Sequence, residues 1–341
     1  MSLKSSLAKN EKKTSRDRSN RLLVFSFLLA ALLLYFTLRG LNWASFWETI
    51  RFGRYEFLLL TIPIACINFS FRAFRWGCLV NVDGKLPFIS IFWANMAGYM
   101  GNAYLPARAG ELIRSAYLGR QNGLGTSFVL ATALVERALD VVALVLIGSL
   151  SLLIQANISP LLVNALRLIA FMGIIGLFVI IAAPFQEKLI KGLVGKVPLP
   201  EKISLTVLEQ ITRFLIGMRS LHNFRRLGIF TLLTAVIWLV DAYTTTIGVR
   251  ILSETLTIPQ ALILLSALGL SSAIPSTPGY IGVYQFVAVA VLTTFGFSRA
   301  NALAYILISQ ILNYILVSVW GLIGMWRLNK VNPYPEAPGP I

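Results

Sequence analysis

Glu136, Arg137 and Asp140 lie inside the apolar stretch Ser127–Ile154, where each charge costs at least about 2.5 kcal/mol to insert. Glu136 and Asp140 are four residues apart and share a helix face; Arg137 and Asp140, three apart, can pair locally. That pairing leaves Glu136 with excess negative charge or a proton. Two readings stand side by side: an ion pair that fixes helix packing, and a polar cavity wall that contacts a headgroup or moves a proton. Asp241, in Trp238–Thr246, is a second carboxylate in an apolar run. Its candidate partners are Arg137 or Arg108 from another helix, or the nearby Thr244 and Thr245. Arg72 and Arg75 sit near a span end and can snorkel to the headgroups, and Arg72 is kept as a substrate contact.

Arg108, Glu111 and Arg114 follow Pro106. If Pro106 opens a helix, Arg108 opposes the helix dipole unless an anion sits there. Guanidinium suits bidentate phosphate binding, so Arg108 is the leading phosphate contact, with Arg137 and Arg114 beside it. Glu111 is placed to hold Arg108 or Arg114, or to bind a cationic headgroup. The single histidine, His222, and the two cysteines, Cys66 and Cys78, do not make a zinc site. On one helix the cysteines lie about 18 Å apart, too far for a disulfide. No catalytic residue, metal or cofactor is assigned.

The elements that carry these residues are membrane helices. Of 341 residues 57% are hydrophobic and 13% charged, against about 25% charged in a soluble domain. That excludes an ordinary soluble enzyme and a disordered chain. The 30 Lys and Arg against 14 Asp and Glu sit mostly between apolar runs, which points to anionic lipid and topology rather than nucleic acid. Residues 1–21 read as a basic cytoplasmic tail and 328–341 as a Pro-rich end, around one polytopic domain, 22–327. A long polar head precedes the first apolar run, so no cleavable signal peptide is expected.

Full spans are expected at Leu22–Leu38, Phe57–Trp76, Ser127–Ile154, Leu161–Ala183, Leu227–Gly248 and Ala302–Trp326, each near the twenty residues a bilayer requires. Leu41–Glu56, with Trp43 and Trp47, reads as an interfacial helix. Residues 185–226 form a cytoplasmic connection with eight Lys and Arg against three Glu, amphipathic over Ile203–Leu221. Positive charge on the flanks places both termini in the cytoplasm.

Leu86–Leu105 contains Asn95, Gly98, Gly101 and Asn102 and has basic residues on both flanks. It is expected to enter and return as two half-helices broken near Gly98–Asn102, a backbone tolerated only where it lines a cavity or is buried in protein. Ile258–Ile274 and Tyr280–Phe297, around Pro275 and Gly279, form a second broken pair.

The two broken pairs resemble each other. LPARAGEL (Leu105–Leu112) followed by Ala131–Gly148 aligns with IPSTPGYI (Ile274–Ile281) followed by Ala304–Gly321. Pro106 and Gly110 match Pro275 and Gly279; Arg137, Asp140 and Gly148 match Gln310, Asn313 and Gly321. The fold class expected is therefore all-α, with six full membrane helices plus two re-entrant pairs in an inverted-topology repeat (units about 57–154 and 227–326). That plan places substrate near the midplane at discontinuous helices, where Pro-x-x-x-Gly breaks can turn backbone N–H groups toward an anion. Asn102, Gln310 and Asn313 join the candidate contacts on this ground.

Asn102–Leu118 (NAYLPARAGELIRSAYL), Ala131–Val142 (ATALVERALDVV) and Ile274–Gln285 (IPSTPGYIGVYQ) together resemble the flippase-like transmembrane family that includes the membrane half of bacterial lysylphosphatidylglycerol synthases. The resemblance runs from about Arg21 to Arg327. It implies movement of a lipid between leaflets of the cytoplasmic membrane: an anionic or aminoacylated phospholipid, or a polyprenyl-phosphate glycolipid. The soluble aminoacyltransferase domain of the bifunctional relatives has no counterpart in the 15 or so residues after the last span, so aminoacyl transfer is not expected. The alternatives are a membrane enzyme acting on a lipid phosphate and a non-transporting partner of a separate synthase or glycosyltransferase. A homo-oligomer is compatible with all three, and nucleic acid with none.

Overall fold

A computed structural model describes residues 26–81, 84, 86–105, 108–154, 223–272 and 277–331, with 171, 174, 175, 208 and 212 in addition. Every regular element among them is helical. Four helices are long and apolar enough to cross a membrane: α3 (Glu56–Val80), α6 (Thr126–Ile154), α7 (Phe224–Gly248, prolonged by a 3-10 turn to Leu252) and α10 (Arg299–Val331). At 1.5 Å per residue each exceeds the roughly 30 Å hydrocarbon core. Their outer faces stay apolar and uncovered: Leu59, Leu232 and Ile311 are each more than half exposed. The fold is a multi-span all-α membrane fold.

Helix α1 (Ser26–Leu38) bends by 89° into α2 (Trp43–Arg51), and the pair counts as a fifth crossing if taken as one span. Asn42 sets the corner, its Oδ1 accepting from the Ser45 amide at 3.1 Å. Helix α2 is amphipathic as expected, with Phe46 buried and Trp43 and Trp47 exposed. The expected span Leu161–Ala183, the amphipathic stretch Ile203–Leu221 and the 1–21 tail lie outside the described residues, apart from the few single positions above. Helix α10 continues past Arg327 to Val331, beyond the expected end of the last span.

The stretch expected to be broken near Gly98–Asn102 corrects the expectation. Phe88–Tyr104 is one continuous helix, α4, with no break at Gly98–Asn102. The chain reverses after Tyr104, and the second leg is α5 (Gly110–Gln121), which hydropathy alone assigned to a polar flank. The glycines serve close packing instead of a break. A Cβ on Gly101 would lie 2.7 Å from the Gly110 Cα, and one on Gly110 would run into the Gly98 carbonyl oxygen. The two legs run antiparallel, bridged by Asn102 to Glu111 and Asn95 to Arg114. At 17 residues, α4 is about 25 Å long, short of a full crossing.

The second pair is α8 (Ile258–Ser271) and α9 (Val283–Thr294), with a 3-10 turn at Pro278–Tyr280 between them. A capping box opens α8: Thr257 N–H donates to Gln260 Oε1 at 2.9 Å, and the Gln260 amide donates to Thr257 Oγ1 at 3.4 Å. This satisfies two backbone donors that the first helical turn leaves unpaired. Gly279 holds φ 67°, in the left-handed region, and a Cβ there would collide with the Tyr314 hydroxyl.

The helices pack in matching pairs. Helix α3 lies along α7, α4 against α10, and α8 against α6. Helix α4 packs on α5 and α8 on α9, and α5 contacts α6 as α9 contacts α10. Two apolar cores result. One joins α2, α8, α9 and the start of α10; the other joins α3, α4, α6 and the end of α10.

Candidate functional site

The charges of α3, α5 and α6 meet in one buried network. Arg75 donates through Nη1 to Asp140 Oδ1 at 2.6 Å and through Nη2 to Asp140 Oδ2 at 3.0 Å and Glu136 Oε1 at 2.9 Å. Arg114 donates to Glu111 Oε2 through Nε at 2.6 Å, to Glu136 Oε2 through Nη2 at 2.9 Å, and to Asn95 Oδ1 at 2.9 Å. Arg137 Nε donates to Glu111 Oε1 at 2.9 Å. The side chains of Arg75, Arg114 and Glu136 are each 1% exposed. Trp76 closes the floor. Its ring lies 4.4 Å from the Arg114 guanidinium carbon, and its Nε1 donates to Thr132 Oγ1 at 3.2 Å.

Arg137 and Asp140 pair across one helical turn at 3.5 Å, as expected, while the shorter bonds run from Arg75 to Asp140 and from Arg137 to Glu111. Other pairings differ from those expected. Glu136 carries no excess charge, since it bridges two arginines. Asp241 pairs with Arg72 and accepts from Asn68 Nδ2 at 2.6 Å, not with Arg137, Arg108 or the threonines; Thr244 bonds the Val240 carbonyl instead. Arg75, expected to snorkel, is the centre of the network. Helix α3 runs on to Val80, which leaves Arg75 more than a turn inside. The missed signal was charge balance: three carboxylates on α5 and α6 need a third arginine besides Arg114 and Arg137.

Arg108 stands apart. It precedes α5, in a left-handed conformation with φ 54°, and is not a first-turn helical residue. Its guanidinium donates to Ser272 Oγ at the end of α8 and lies 5.8 Å from the centre of the Tyr280 ring. Its Nε is buried without a hydrogen-bond partner. A non-glycine residue held at positive φ is a strained conformation of the kind that clusters at ligand sites.

A cavity of about 480 Å³ opens beside this turn, lined from α3, α4, α6, α7, α8, α9, α10 and both interhelical turns. That volume falls in the ordinary range for ligand pockets. Of the residues singled out by sequence, Arg72, Asn102, Arg108, Arg137, Asp140, Asp241, Gly279, Gln310 and Asn313 line it. Glu111, Arg114 and Glu136 lie behind its wall in the buried network, and Gly110 sits in the α4–α5 contact. Pro106 and Pro275 lie outside the described residues. Gln310 ties the second turn to α10: its Nε2 donates to the Gly279 carbonyl at 2.6 Å, and its Oε1 accepts from Gln285 at 2.6 Å. Five tyrosines that sequence reasoning passed over also face the cavity: Tyr99, Tyr280, Tyr284, Tyr305 and Tyr314. Nothing in their apolar surroundings marked them. Among the described residues no group of three His, Cys, Asp or Glu side chains is placed to hold a metal ion.

The family model for the lysylphosphatidylglycerol synthase TM region matches residues 23–321. The chain belongs to that family. A UPF0104 membrane protein of Pyrococcus horikoshii is 23% identical to this family member over 312 residues, covering 85% of this chain and 93% of the relative. A UPF0104 membrane protein of Methanothermobacter thermautotrophicus is 22% identical over 267 residues, covering 74% and 77%. The matched region spans both hairpins, the ion network and the cavity.

Proposed function

We propose that this protein translocates a phospholipid or polyprenyl-phosphate lipid across the cytoplasmic membrane, its headgroup passing through the central cavity while the acyl chains stay in the bilayer. The observation that carries the reading is the charged cavity at the meeting point of two helical hairpins that stop short of a full crossing. Arg108 binds the phosphate there. Arg72 and Arg137 extend the polar path, with Asp241 and Asp140 as counter-charges, and Asn102, Gln310 and Asn313 offer amide contacts.

The same reading takes residues 57–154 and 227–326 as inverted repeats. The exchange of partners supports it: α6 packs on the first helix of the other hairpin, α8, and α10 packs on α4. Gly148 of α6 lies against Ser266 of α8, and its match, Gly321 of α10, against Met100 of α4. A two-fold relation between the halves demands such reciprocal pairs. Alternating access follows from one half rocking against the other about the cavity, with both termini cytoplasmic.

The test is purified protein in liposomes carrying a fluorescent phospholipid. A change in sidedness with no new lipid species supports translocation. A new lipid product supports the membrane-enzyme reading instead, and neither outcome at full incorporation leaves a partner subunit.

A further inference from the structure

The cavity wall carries three guanidinium groups, Arg72, Arg108 and Arg137, and two carboxylates, Asp140 and Asp241. Adding the network behind it, Arg75 and Arg114 with Glu111 and Glu136, leaves the same surplus of one positive charge. The surplus has an address. Asp241 belongs to Arg72, and Asp140 belongs to Arg75 with Arg137 at longer range. Among the described residues Arg108 has a hydroxyl and an aromatic face for partners and no carboxylate.

The tyrosines add a second constraint. Tyr99, Tyr280, Tyr284, Tyr305 and Tyr314 line the same cavity, and a tyrosine hydroxyl donates or accepts.

We infer that the headgroup this cavity takes is an anionic phosphodiester bearing hydroxyls and no amine. The phosphodiester pairs with Arg108, and hydroxyls meet the tyrosines. An ammonium headgroup finds every carboxylate of the wall already claimed by arginine, and the Tyr280 face already taken by Arg108. It would pay the desolvation of a buried charge without a counter-ion, next to a net positive wall. A polyol or sugar carries no such penalty.

The inference rests on the translocation reading for the use of the site and on the charge balance for its chemistry, so the experiment separates the two. The full chain in detergent is presented with phosphatidylglycerol, a polyprenyl-phosphate hexose, phosphatidylethanolamine and lysyl-phosphatidylglycerol, and retained lipid is read by native mass spectrometry. The same lipids are then followed for sidedness in liposomes. A charge-assisted pair predicts that the hydroxylated anions are retained about tenfold or more over both amine lipids. Whichever of the two anions leads names the source. Arg108→Gln abolishes the preference and Arg108→Lys keeps most of it, which separates lost charge from lost fold. Equal or tighter retention of lysyl-phosphatidylglycerol overturns the headgroup assignment. Selective retention with no change of sidedness overturns translocation and leaves the headgroup assignment standing; movement of all four lipids alike does the reverse.

Discussion

Arg75 and Arg108 are both arginines of the membrane domain, and their surroundings are opposite. Arg75 makes three hydrogen bonds to two carboxylates and is 1% exposed. Arg108 is half-buried, bends its backbone into the left-handed region and meets a hydroxyl and a tyrosine ring. The first is paired with two carboxylates and holds α3 to α6. The second lines a cavity and has no carboxylate partner among the described residues. In a low-dielectric interior a charge-paired arginine serves structure, and one without a counter-charge can serve as a site.

The largest effect expected is on the closed side of this comparison. Arg75→Ala leaves Glu136 and Asp140 under-compensated, and removing one partner of a buried pair costs about 3–5 kcal/mol. A large drop in melting temperature in detergent, or loss of folded protein, is the outcome; an unchanged melt would mean the network does not hold the fold. Glu136→Gln lowers the melt less, since it keeps a hydrogen-bonding side chain facing Arg75 and Arg114. If it instead stops transport at full stability, the division between lock and site fails.

Gly110→Ala comes next. The added methyl meets the Gly98 carbonyl and the Asn102 backbone, and overpacking of this kind costs about 1–3 kcal/mol. Thermal unfolding reads it directly, and a neutral result would deny the close α4–α5 crossing. Arg108→Gln shifts stability by no more than about 1 kcal/mol, the scale of an ordinary neutral hydrogen bond, while sidedness change in liposomes stops. Asn313→Ala is the smallest. Asn313 lines the cavity from an exposed position on α10, so the melt stays within about 0.5 kcal/mol of wild type and only transport slows.

Much of the fold is legible from hydropathy. The runs that became α3, α6, α7 and α10 each exceed the thickness of a bilayer core, and α2 shows its two faces through Phe46 against Trp43 and Trp47. The reversal of the first hairpin was misplaced, because Gly98 and Gly101 look like breakers in a string of residues. They act as a flat surface for Gly110. Arg75 was misread for a related reason: its distance from the span end depended on where α3 stopped.

The sequence by itself determined that this is a polytopic membrane chain and which residues bear charge inside it. Hydrophobic length and intramembrane charge are properties of a segment, so they survive without a fold. Only the tertiary structure decided which arginine answers which carboxylate. Arg75 meets Glu136 across 61 positions and Arg72 meets Asp241 across 169, and helical spacing fixes neighbours only within a turn. It also decided that Arg108 alone, among the charges on the cavity wall, has no carboxylate partner among the described residues.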